Sequence, residues 1–95
     1  MYTISIPEED YKYTVAKPLK VIASFSNKGH IMPLYAEYEG YTIKIDEVLK
    51  TKEINDWGLR GIEFLCSYML GDRRREIKIR YALKEHIWYL PTRNL

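Results

Sequence analysis

The sequence predicts a mainly-β domain: a small antiparallel barrel, SH3-like or roll-type, of about six strands. Three observations carry this. The first is composition: aromatic residues make up 14% of the 95-residue chain, nine of them Tyr, alongside many Ile, Val and Thr. Such side chains suit a pleated, half-buried surface. The second is period: most apolar runs are short and alternate with polar residues, which places alternate side chains on opposite faces of a strand. The third is punctuation: short Gly-, Asn- and Asp-containing turns separate the runs, a pattern of hairpins and therefore of antiparallel pairing. Closing a meander on itself removes its exposed edges, which favours a barrel.

The elements follow in chain order. Residues 1–18 read as an N-terminal arm, partly ordered by Tyr2, Tyr11, Tyr13 and Val15, with Pro7 and Pro18 as breaks. Residues 19–95 form the single barrel domain. Leu19–Ser26 is a strand with Leu19, Val21, Ala23 and Phe25 on one face. Asn27-Lys28-Gly29-His30 turns the chain into a second strand, Ile31–Tyr38. Pro33 has no N–H to donate, so it must lie near the strand start, on an edge or at a bulge. Glu39-Gly40 is a two-residue hairpin loop leading to a third strand, Tyr41–Ile45. Residues 46–57 admit two readings: strand continued past a bulge, or a short helix, which makes the fold a two-layer α+β roll. Gly61 opens the run Ile62–Leu70, with Ile62, Phe64, Cys66, Tyr68 and Leu70 on one face. Gly71-Asp72-Arg73 is a turn. In Arg75–Leu83, Ile77, Ile79 and Tyr81 point in, while Glu76, Lys78 and Arg80 point out. Lys84-Glu85 turns into His86–Leu90, with Trp88 and Leu90 inward, and Pro91 ends the strand.

Residues 33–49, PLYAEYEGYTIKIDEVL, and 62–90, ending in REIKIRYAL and HIWYL, together resemble a group of small uncharacterised bacterial β-barrel domains. The shared pattern is a Pro-started strand, an aromatic-Gly turn, a middle Trp and a closing basic-aromatic hairpin that ends in Trp, here Trp88. Tyr38 stands before the Gly turn where that pattern has Trp. Some of these domains accompany DNA-repair polymerases. The resemblance implies a fold class, without an activity, and adds weight to nucleic-acid binding.

Charge is unevenly distributed. The net charge is +2, but residues 73–95 hold seven Lys and Arg against two Glu, and residues 1–72 hold eight against eleven Asp and Glu. The basic run Arg73, Arg74, Lys78 and Arg80 is the candidate binding patch, for nucleic acid or an acidic partner. Alternate strand residues stand about 6–7 Å apart, and guanidinium groups bind phosphate oxygens in pairs. The alternative is a solvated strand face guarded against edge pairing by its charge. Tyr35, Tyr38, Tyr41 and Tyr89 are candidate stacking residues if exposed, and core or edge residues if not.

Catalytic and metal patterns do not emerge. One cysteine, Cys66, excludes an internal disulfide. With His30 and His86 it lacks metal-ligand spacing. A mid-strand Cys66 reads as a small buried hydrophobe, and burial would silence a Cys66–His86 pair. The Asp46-Glu47 and Glu8-Glu9-Asp10 carboxylates read as surface charge rather than an acid–base pair facing across a cleft. The expected function is thus a non-enzymatic binding or accessory domain with no cofactor. A protein partner comes first, nucleic acid second, and a homodimer is compatible with the exposed strand edges. The expected location is cytoplasmic, because neither a signal-peptide pattern nor a membrane-spanning apolar run is present.

Overall fold

The computed structural model describes residues 16–56 and 58–91. They form β1 (Ala16–Phe25), β2 (Ile31–Tyr38), β3 (Tyr41–Lys44), β4 (Glu47–Asp56), β5 (Leu59–Leu70), β6 (Arg73–Ala82) and β7 (Ile87–Pro91). All belong to one antiparallel sheet of order β3-β2-β1-β7-β6-β5-β4. The mainly-β expectation is met. Two details differ. The helix considered near 46–57 is absent over the described residues, because Glu47–Asp56 pairs with β5 as a strand. The sheet also does not close into the expected barrel: β3 and β4 are its opposite edges. The arm assigned to residues 1–18 lies outside the described residues as far as residue 15, and Ala16–Pro18 belong to β1.

Although open, the sheet is coiled, and two stretches of chain cause this by changing partner midway. β1 pairs with β7 through Ala16–Leu19 and with β2 through Lys20–Phe25. Residues 41–56 do the same. The Ile45 N–H donates to the Leu34 carbonyl of β2 at 2.9 Å, and the Asp46 N–H to the Ser67 carbonyl of β5 at 2.9 Å. The two edge strands are therefore consecutive in the chain, joined only by Ile45 and Asp46. Such coiling is the usual response of a many-stranded, right-twisted sheet.

The concave face holds the core. Leu19, Ala36, Ile45, Phe64, Cys66, Ile79, Tyr81, Trp88 and Leu90 form one buried cluster. Its aromatic centre packs by edge and tilt. Tyr81 and Trp88 have ring centroids 4.8 Å apart, Phe64 and Trp88 5.5 Å, and Phe25 reaches Tyr81 at 5.9 Å. These are favourable aromatic geometries. The opposite face of β5–β7 carries a second buried cluster of Leu59, Ala82, Ile87 and Tyr89.

Local chemistry explains the irregularities. Between β1 and β2 the register skips Leu34, next to Pro33, whose missing N–H favours a bulge there. A second skip, at Leu49, lies between β4 and β5. Glu39 and Gly40 both have positive φ, 50° and 81°, the geometry of a type I′ hairpin turn. Among the described residues no helix is long and apolar enough to cross a membrane.

Candidate binding surfaces of the β4–β5–β6 sheet

The ladder registers arrange the basic residues as a grid. On the convex face, one cross-strand row is Lys50–Leu65–Lys78 and the next is Lys52–Glu63–Arg80–Tyr89. Towards the β5–β6 turn lie the rows Glu47–Ser67–Glu76 and Met69–Arg74. Neighbouring strands stand about 4.8 Å apart, so Lys50 and Lys78 are roughly 10 Å from each other across the sheet. Lys50, Thr51, Lys52, Glu63, Leu65 and Lys78 line a hollow of about 130 Å³.

Arg80 does not serve as the free cation the sequence suggested. Its Nε and Nη2 both donate to Oε2 of Glu63, each at 2.9 Å. Both side chains are largely buried, 19% and 6% exposed. Burial alone lowers the Arg80 pKa, but the hydrogen bond and charge of Glu63, with the adjacent Tyr89 hydroxyl, outweigh it and raise the value above the ordinary one. The second Glu63 oxygen faces Lys52 Nζ at 3.6 Å. Glu63 is thus held between cations from two neighbouring strands. Arg80 neutralises a buried carboxylate and leaves the expected patch.

The remaining three expected residues divide between two faces. Lys78 and Arg74 lie on the convex face. Arg73 alternates with Arg75, Ile77 and Ile79, so it lies on the concave side of the hairpin end, where all three arginines are exposed. Lys50 and Lys52, which join the convex patch, come from β4. Their polar neighbours Thr51 and Glu53 gave that segment no clear strand period.

The concave side opens into a cleft of about 400 Å³ between Tyr38, Tyr68, Leu90 and the β6 segment 76–78, with Leu65 also at its wall. Tyr38 is half-buried, and its phenol is held above its usual pKa by burial first, then by Glu39 and Tyr68. Tyr68 faces Arg75 directly across the β5–β6 ladder. Of the other stacking candidates, Tyr89 lies opposite Trp88 as expected but is fully buried, whereas Tyr35 and Tyr41 are exposed.

Cys66 is fully buried, and burial pushes its thiol up to about 11. His86 lies beyond the far end of β6 from Ile77, the residue paired with Cys66. Its Nδ1 instead shares a hydrogen bond with the Tyr81 hydroxyl at 3.0 Å. The described residues contain no group of three His, Cys, Asp or Glu able to hold a metal ion. The chain matches no protein-family model, no curated protein and no solved structure.

Proposed function

We propose that this chain is a non-enzymatic binding domain that engages a negatively charged partner through the convex face of β4–β5–β6. The carrying observation is the trio of Lys50, Lys52 and Lys78 around a half-buried Leu65, with Arg74 on the same face beyond the Glu47–Ser67–Glu76 row. An apolar centre rimmed by charge is the anatomy of a protein interface, so a protein with an acidic surface is the first reading. Nucleic acid is the second. It is favoured by a separate observation, the tyrosine-walled cleft with Arg75 beside it.

Binding through this face depends on charge and so weakens with salt. The informative variant is Lys50→Glu with Lys78→Glu, which reverses exposed residues and spares the Glu63–Arg80 pair. Pull-down from a lysate with wild type and double variant, followed by titration of the recovered partner at low and moderate salt, tests the reading. Salt-sensitive binding that the folded double variant loses supports it. Binding that the folded double variant retains in full places the contact elsewhere and overturns it.

A further inference from the structure

The cleft on the concave side has a shape that the convex grid does not explain, although Leu65, Glu76 and Lys78 of that grid also border it. Its volume, about 400 Å³, lies in the range of small-molecule pockets, which starts near 300 Å³. Two tyrosine rings, Tyr38 and Tyr68, stand with Ile77 and Leu90 around it, and Glu76 and Lys78 add one charge of each sign at the β6 wall. The β5–β6 hairpin runs on beyond the core from this point. It carries Tyr68 paired with Arg75, then Leu70 paired with Arg73, on the same face as the cleft. A residue pair directly opposed in an antiparallel ladder has Cβ atoms about 5 Å apart, so a group seated on Tyr68 lies within reach of the Arg75 guanidinium. No ion pair among the described residues occupies Arg73 or Arg75. A planar aromatic group joined to an anion fits this order of features: ring to tyrosine, anion to arginine.

Resting on the nucleic-acid reading above, the geometry points to a base-binding site for single-stranded nucleic acid: one base enters the Tyr38–Tyr68 cleft and its adjoining phosphates run along Arg75 and Arg73. Stacking on an aromatic ring is sequence-tolerant, because every base presents a π-face, and guanidinium groups hold the backbone. A duplex keeps its bases stacked on one another, so it cannot fill the cleft without unpairing.

The test is fluorescence anisotropy of the full chain with two labelled oligodeoxynucleotides of equal length, one intact and one abasic. Both have the same backbone charge, so their difference isolates the bases. The intact strand is expected to bind about tenfold or more tighter. Tyr68→Leu, which keeps an apolar side chain but removes the ring, erases most of that difference, while Tyr68→Phe retains it. Arg75→Gln weakens both strands and lowers the salt slope by about one contact. Equal binding of the intact and abasic strands by the wild-type protein overturns the base site and leaves the backbone contacts standing. Absence of binding by either strand at low salt removes the nucleic-acid reading, and the base site with it, while the acidic-protein reading is untouched. The wild-type comparison decides without any variant having to fold.

Discussion

At the scale of single residues, Glu63 is the most consequential side chain. It is a nearly buried carboxylate whose charge is met by Arg80 on one side and Lys52 on the other. Breaking a buried pair by deleting one member leaves the other charge without compensation, at a cost of about 3 kcal/mol or more. Glu63→Ala is therefore expected to lower stability by about 3 kcal/mol in urea unfolding. Lys52→Ala, which removes a side chain 59% exposed, is expected to cost less than about 1 kcal/mol. Equal losses from the two substitutions contradict this division of labour. The pair was not legible in the sequence. Glu63 sits among apolar residues in β5, and its partner follows 17 positions later. Only the register of β5 on β6 brings them together.

At the scale of elements, the turns and one close strand approach dominate. The β2–β3 hairpin requires positive φ at Glu39 and Gly40, which Gly adopts freely and other residues adopt at a cost of about 1 kcal/mol. Gly40→Ala should thus cost about 1 kcal/mol, whereas Glu39→Asn should raise the melting temperature, since Asn tolerates this conformation. Gly61 is a different case. A Cβ there would collide with the backbone carbonyl of Tyr81 on β6. The β5–β6 ladder must shift to accept it, so Gly61→Ala is expected to cost more than Gly40→Ala, about 1–3 kcal/mol. Thermal melts of the three variants give this order directly, and a Gly61→Ala variant as stable as wild type refutes the close approach. The Glu39-Gly40 turn was readable because its residue types are demanded locally. β4 was not: Lys50, Thr51, Lys52 and Glu53 are all exposed, so this edge strand shows little of the apolar alternation that marks a half-buried one.

At the scale of the whole molecule, stability rests on the concave core, with a smaller cluster on the opposite face, and should respond to alkaline pH. The Cys66 thiol is pushed up from 9.0 to about 11 by burial. The folded pKa is raised above the unfolded value, so the folded state keeps a proton that the unfolded chain releases. The contribution of Cys66 is complete below about pH 9 and is lost as pH rises from 9.0 to about 11. Burial raises Tyr38 and Tyr81 in the same direction above 10.0. Urea midpoints measured from pH 8 to 11 should fall, and the decline should be shallower in Cys66→Ala. The same burial predicts that thiol reagents modify Cys66 only on unfolding. A midpoint independent of pH across this window contradicts the assignment. Truncating the core centre by Ile79→Ala, at a residue with no exposed surface, should cost about 2–5 kcal/mol without moving the binding surfaces.

By itself the sequence determined the β class, six of the strands to within three residues of their ends, the turn at Glu39-Gly40 and the inward faces built on Phe64, Ile79, Trp88 and Leu90. These features depend on neighbours one or two residues apart, through side-chain alternation and turn conformation, so a linear reading reaches them. Tertiary structure alone decided that the sheet stays open with β3 and β4 at its edges, and that Arg80 neutralises Glu63. It also placed Lys50 and Lys52 beside Lys78, and Tyr38 and Tyr68 at one cleft. The physical reason is that each of these depends on which strand lies beside which and in what register. Local alternation is the same whether a sheet closes or remains open, and the same whether an outward cation meets solvent or a buried carboxylate.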